Sequence, residues 1–397
     1  ALRFPLSALI TVDNCSVPLE TTEAVYDKLA AKHGITRERF AISSTHSHSA
    51  PWLRGFAPNI LSGVTDDQAE RLAQYETELI EKLVEVVDQA IAARRPGSLS
   101  YGFGEAGFAM NRRVIANGRW TDFGETPDGP TDKRVPVLAA HDLDGKLIAV
   151  LANYACHCTT ETGDFNQISG DWAGFAANIL EADHPGAVAL IAIGCGADAN
   201  PSPRGTHVQA QAHGRTIADE VTRILASGGR QPAGTLPANP SGSASPDSTR
   251  TGGLTPSARR IAMHRIDPRI ACNMARIDLP LGPLPSREDW EQRAKETGVA
   301  GLHARYFLKM LDEGKEIPKT IPEYPVQTWC FGDDLAMVFL GGEVVVDYSL
   351  RMNDMFDGDR LWINAYSNDV PCYIASARLL REGGYECDSS MLYYRRP

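Results

Sequence analysis

The 397-residue sequence has no run of Lys or Arg long enough to follow a phosphate backbone, and 50 acidic residues outnumber 39 basic ones. A net charge of -11 spread along the chain argues against a nucleic-acid partner and fits a solvated surface. No stretch of about eighteen apolar residues occurs, so no segment reads as a membrane span and any lipid contact is expected to be peripheral. The first residues run straight into a strand pattern, Leu6 to Val12, with no charged leader region or small-residue cleavage site. Cysteines stand at 15, 156, 158, 195, 272, 330, 372 and 387. They form no CxxC pair and no paired framework, and most read as small buried hydrophobes.

Short Val/Ile/Leu-rich runs do recur between helical patterns: Phe40 to Ser44, Val135 to His141, Leu147 to Asn153 and Ala187 to Ile193. This alternation predicts an α/β fold. Asp144-Gly145 and Gly332-Asp333-Asp334 read as hairpin turns, which makes the sheet mixed, with helices flanking it. A helix is expected from Thr65, where Gln68 completes a capping box, and others at Thr22–Lys32, Trp172–Ala182, His207–Ala226 and Val344–Met355. Residues 228–257, rich in Pro, Gly, Ser and Thr, read as a flexible excursion within one large catalytic unit spanning 1–397.

Four segments carry candidate chemistry. In Thr45-His46-Ser47-His48-Ser49-Ala50-Pro51 a strand empties into a loop. Residues two apart on an extended chain face one way, so His46 and His48 would present both rings to one metal ion. Hydrogen bonds from the rings to neighbouring hydroxyls are the blander alternative. His157, at the end of the Leu147 run, would join them, while Cys156 and Cys158 point away to pack. Gly194-Cys195-Gly196-Ala197-Asp198 lacks the third glycine and following helix of a dinucleotide site, which leaves Asp198 as a carboxylate beside the metal ligands or facing substrate. Glu343 follows another apolar run, Leu335 to Leu340, at a strand-to-helix junction. There it could simply favour a helix N-terminus.

Taken in chain order, these segments resemble the neutral, or neutral/alkaline non-lysosomal, ceramidase family. Thr45-His46-Ser47-His48-Ser49-Ala50-Pro51 looks like its Thr-His-Thr-His-Ser-Gly-Pro motif. The resemblance covers about residues 6 to 390. It implies a zinc ion held by His46, His157, Glu343 and Tyr373, with His48 transferred from the metal to the reaction. Tyr373 is preferred to Tyr366 because Asn368, Ile374, Ser376, Tyr385 and Glu386 reproduce the family spacing around it. Arg112, in Asn111-Arg112-Arg113, resembles a family segment and could hold an oxyanion or serve a salt bridge. Asp171, in a Ser-Gly-Asp motif, could contact substrate or cap the following helix.

Two departures qualify the resemblance. Asn200 stands where some members have a serine nucleophile, and the C-terminal immunoglobulin-like domain is expected to be absent. The expectation is a zinc-dependent hydrolase of a linear, ceramide-like amide, with His48, Arg112 and Asp198 catalytic and Asn200 and Asp171 contacting a small-molecule or lipid substrate. A different substrate on the same metal site, or a zinc-stabilised binding protein without catalysis, are the alternatives. The compartment is not legible in the residues, although the resemblance implies secreted or periplasmic.

Overall fold

The computed structural model describes residues 5–228 and 261–397. Apart from Gly228, the expected excursion lies outside the described residues. The chain runs β1 (Ala8–Val12), α1 (Leu19–His33), β2 (Phe40–Ser44), α2 (Asp66–Ala92), β3 (Gly97–Glu105), β4 (Ala109–Ala116), β5 (Arg119–Thr126), β6 (Arg134–Asp142), β7 (Leu147–Tyr154) and α3 (Asp171–Asp183). Next come β8 (Val188–Ile193), β9 (Ala199–Pro201), α4 (His207–Ser227), β10 (Ile261–Ile266), β11 (Ile270–Pro280), α5 (Arg287–Arg293), α6 (Gly298–Asp312), β12 (Thr320–Phe331) and β13 (Leu335–Leu340). The last part holds β14 (Glu343–Val344), α7 (Val346–Met355), β15 (Leu361–Asn364), β16 (Tyr373–Ile374), α8 (Ala377–Glu382) and α9 (Met391–Tyr394).

The fold is α/β with mixed sheets, as the alternating pattern predicts. A five-stranded sheet has the order β10-β3-β6-β7-β8, antiparallel except for its β7–β8 pair. A four-stranded sheet, β11-β12-β13-β15, is antiparallel except for β13–β15. Both expected hairpins form, with Gly145 and Gly332 in the left-handed region at φ 82° and 53°. The two sheets bury a shared layer in which Tyr101, Phe103 and Leu151 meet Trp329, Met337, Phe339 and Trp362. On its other side the larger sheet is covered by α3 and α4, with Trp172, Ala176, Ile217 and Val221 in the main core. Burial of such side chains contributes about 1.5–3 kcal/mol each before the entropy of ordering is set against it.

Helix α2 starts as expected: the Thr65 hydroxyl accepts from the Gln68 N–H, and the Gln68 side chain returns to the Thr65 N–H. With α1 it packs beside the parallel β1–β2 pair. Two local expectations are corrected. Helix α7 begins at Val346, because Glu343 and Val344 instead pair in parallel with Tyr373 and Ile374. The cap of α3 is Gly170, so Asp171 is its first helical residue, at φ 51°. Helices α5 and α6, built around Trp290, Ala304 and Phe307, carry no motif that singled them out beforehand. Among the described residues no helix is long and apolar enough to cross a membrane, and all eight cysteines are free.

Candidate functional site

Strands β2, β7, β8 and β13 end at Ser44, Tyr154, Ile193 and Leu340, and the segments leaving these ends converge. In open α/β sheets this end of the strands is where ligand sites gather. His46 and His157 leave two of them, and Glu343 leaves a third. A nitrogen of each ring and an oxygen of the carboxylate lie within 4.8 Å of one another, and all three residues are buried.

His46 reaches this point by a route the extended-chain argument does not describe. Its φ is 58°, so it is a left-handed residue beyond the strand, and the alternation rule fails at that position. The rings still converge: His48 Nε2 is 3.1 Å from His46 Nε2, with the planes edge-to-face at 88°. Cys15 Sγ lies 3.7 Å from His46 Nδ1, and Cys15, His46 and His48 form a second group of metal-capable side chains. Cys156 and Cys158 are buried in the main core.

The tautomers follow from the backbone. His46 Nδ1 is 2.6 Å from the Cys15 carbonyl, and His157 Nδ1 is 2.9 Å from the Gly196 carbonyl. A carbonyl only accepts, so both Nδ1 atoms carry a proton and each Nε2 can offer a lone pair, with His48 Nε2 3.1 Å from the first and the Arg112 Nη1 donor 3.3 Å from the second. Those lone pairs stand 3.1 and 3.4 Å from Glu343 Oε2, a buried oxygen with no hydrogen-bond partner. Three acceptors facing one another away from water repel unless a cation lies among them. A single extra proton could relieve one of the two nitrogen–oxygen contacts and not both. The donor set, two imidazoles and a carboxylate, suits a divalent metal.

The local electrostatics treat the two rings differently. Burial opposes a charge on His46, but Cys15 and Glu343 outweigh it and raise its pKa well above the usual value, so this ring favours a positive charge, a second proton or a cation, beside Glu343. Burial and the neighbouring Arg112 push His157 down to about 4, which keeps it neutral. Burial would raise the Glu343 pKa, yet the two histidines hold that carboxyl well below the ordinary range. His48 is the exposed member. The protein packed around the rest of its ring, together with His46 and His157, holds its pKa well below the usual value.

Arg112 forms the adjoining wall. Its Nε donates to Glu386 Oε1 at 2.9 Å, Nη2 to the Tyr373 hydroxyl at 3.2 Å and Nη1 to Asn200 Oδ1 at 3.4 Å, with His157 Nε2 3.3 Å from Nη1. The rings of Phe123, Tyr385 and Tyr373 surround the guanidinium at 5.1, 5.6 and 5.8 Å. Phe123 is 44% exposed, so this aromatic layer opens to solvent. The salt bridge to Glu386 and the approach to the histidine–glutamate cluster thus occur together in one residue.

Asp198 is wholly buried, and its carboxylate faces structural partners. Oδ1 accepts from the Val346 N–H at 2.9 Å, at the start of α7, and Oδ2 accepts from Asn111 at 3.2 Å and from Arg378 at 3.5 Å. Burial raises its pKa to about 6. Its carbonyl takes the Arg112 N–H at 2.9 Å, which ties Asp198 to the site through the backbone. Asp171 is likewise buried, accepting from the N–H groups of Glu161 at 2.8 Å and Trp172 at 2.6 Å. Trp172 Nε1 then donates to the His157 carbonyl at 2.9 Å. Gly196 serves close packing: a Cβ there would sit 2.4 Å from the Cys156 nitrogen.

Three further residues stand at or beside the cluster: Tyr366, which the family spacing passes over in favour of Tyr373, and Tyr394 and Glu386, to which the sequence assigns no role. Tyr366, at φ 51°, stacks on His46 with ring centroids 4.4 Å apart, and its buried hydroxyl has no partner. The Tyr394 hydroxyl donates to Glu343 Oε1. Glu386, read in the sequence only as a spacing mark, joins Arg112 to Arg113 in the interior.

The model of the neutral/alkaline non-lysosomal ceramidase N-terminal domain matches residues 6–214, more than half of the chain. The chain belongs to this family. The resemblance carried by the histidine motifs is thereby borne out. Neutral ceramidase B of Dictyostelium discoideum is 26% identical over 182 residues, covering 43% of this chain and 24% of that protein. The Pseudomonas aeruginosa neutral ceramidase is 29% identical over 163 residues, 40% of this chain and 23% of that one. The matched stretch therefore spans about a quarter of the length of these relatives. The crystal structure of the Pseudomonas aeruginosa neutral ceramidase superposes with a TM-score of 0.63 at 17% identity, over 97% of this chain and 64% of that chain. A ceramidase complexed with C2 superposes equally well, at 16% identity. At such identities the superpositions establish the shared fold.

Proposed function

We propose that this ceramidase-family chain is a zinc-dependent hydrolase that cleaves a linear N-acyl amide of the ceramide type. The observation that carries the reading is the buried convergence of the His46 and His157 Nε2 atoms on Glu343 Oε2. His46, His157 and Glu343 would hold the ion, with Tyr373 as a fourth ligand from the strand paired to Glu343. Zinc would supply Lewis acidity, acidifying water and polarising the scissile carbonyl.

The chain's own groups complete the reaction. His48, exposed and kept neutral, takes a proton from water as the water oxygen bonds to the carbonyl carbon. Arg112, fixed by Glu386 and held beside His157, stabilises the negative charge on the former carbonyl oxygen. The C–N bond then breaks, and His48 returns its proton to the amine. Asn200, the residue in the serine position, contacts Arg112 and would orient substrate instead of attacking it. Asp198 and Asp171 support this arrangement through Arg112 and His157, with their carboxylates committed to protein partners.

The deciding experiment is metal analysis of purified protein and of His157→Ala, together with turnover on short-chain N-acyl sphingosines, esters and simple amides. One zinc per chain, lost in His157→Ala, and turnover of the N-acyl substrates are expected. A zinc-free wild type, or a variant that keeps its zinc, overturns the metal site. Turnover of esters or small amides alone overturns the substrate and leaves a metallohydrolase adapted around Asn200.

A further inference from the structure

We infer that Tyr394 is a positioning residue for the Glu343 carboxylate, and that α6 and the segment around Asn59 clasp the chain that presents it. The inference rests on the metal site proposed above. Glu343 has two oxygens with different duties: Oε2 faces His46 and His157, while Oε1 accepts the Tyr394 O–H. A carboxylate turns easily about its last bond and can offer either oxygen, or both, to an ion. A phenol donor on Oε1 holds that oxygen back and leaves Oε2 as the single ligand atom.

The donor itself needs holding. Tyr394 ends α9, a helix of four residues, which is too short to stand on its own hydrogen bonds. Its ring is buried against Phe56 and Tyr373, with centroids at 5.6 and 6.3 Å. Contacts from outside fix the backbone on both sides of it. Asn59 donates from its N–H to the Tyr393 carbonyl at 3.1 Å and from Nδ2 to the Leu392 carbonyl at 2.6 Å. Arg395 donates to Asn59 Oδ1 at 2.7 Å and lies over the Tyr306 ring at 4.6 Å. His303 Nε2 is 2.6 Å from the Arg396 carbonyl, to which it must donate.

Tyr306 and His303 both lie on α6, the helix that carried no expected role. A cavity of about 360 Å³ lies between α6 and this segment, lined among others by Tyr306, Phe307, Asp369, Tyr394 and Arg395. The backbone that carries Tyr394 is therefore held from Asn59 and α6 by these directional contacts, alongside the burial of its ring.

The test is zinc affinity by chelator competition, with the visible spectrum of the cobalt-substituted protein as a reporter of ligand geometry. Tyr394→Phe keeps the ring and removes the donor. It should bind zinc about 10–100-fold more weakly and alter the cobalt spectrum. His303→Ala should weaken zinc in the same direction by a smaller factor, and it carries the test if Tyr394→Phe does not fold. Wild-type affinity and an unaltered cobalt spectrum in the foldable variants would overturn the inference. So would a weakened zinc affinity with an unaltered cobalt spectrum, since that marks a general packing role. A wild-type protein without any zinc would instead sink the metal site itself, which separates the two failures.

Discussion

Glu343 and Tyr373 stand on one rung of a two-stranded parallel ribbon, with Val344 opposite Ile374 on the next. The backbone thus fixes the carboxylate that faces the histidines beside the phenol that accepts from Arg112. The His46–His157–Glu343 cluster and the wall formed by Arg112 are thus joined through one strand pair, and changes on either side can be separated by what they leave intact.

His48 tests the division between binding and chemistry. His48→Gln keeps an amide at the exposed edge but cannot carry the proton. Zinc content should stay at the wild-type level while kcat falls about 10²- to 10⁴-fold. Loss of zinc would return His48 to the ligand set.

Arg112 brings a positive charge to 3.3 Å from His157 Nε2. Arg112→Gln should retain zinc and lower kcat about 10²- to 10³-fold, with a smaller change in KM. An unchanged kcat would leave Arg112 with only its salt bridge.

Glu386 has no exposed surface and joins the guanidiniums of Arg112 and Arg113. Removing it leaves two buried cations short of a partner. Glu386→Ala should cost about 3–5 kcal/mol in urea unfolding, and Glu386→Gln less. A loss under about 1 kcal/mol would mean that water replaces the carboxylate, against the burial seen here.

Asp369 gives a separate pH signature. Burial pushes its carboxyl up to about 6, while the N–H groups of Val370 and Leu19 and the charge of Arg396 work in the other direction. Between the usual 3.8 and about 6 the folded state holds the extra proton, so stability from this group declines as pH rises across that window. Asp369→Asn can still accept the Leu19 N–H, now made at 3.1 Å, and carries no charge. It should stabilise the protein at pH 7 and match wild type near pH 4 in thermal unfolding. A constant difference between the two pH values would contradict the shift.

Much of the fold was legible because its strands announce themselves. Phe40–Ser44 and the Thr65 capping box appear at the expected residues, and the ends of β6, β7 and β8 fall within a residue of expectation. Those patterns depend on near neighbours, which is what periodicity and capping read. The histidines were found by a spacing rule whose geometry does not hold at His46, since the chain there leaves the extended region. Their convergence comes instead from tertiary contacts, the Cys15 carbonyl above all. Tyr394 and α6 were invisible for the same reason: the hydroxyl meets Glu343 across 51 positions, and no local pattern encodes that meeting. The choice of Tyr373 over Tyr366 came from family spacing, and both rings now stand near the cluster in different ways.

The reach of the Arg112–Glu386 contact, 274 positions, also sets a clock. Loops of that length close late, after local helices and hairpins have formed. An ion that needs His46, His157 and Glu343 together can be captured firmly only once the distant ends of the described chain have met. Uptake of metal during refolding would then time the final step of assembly, trailing the recovery of secondary structure.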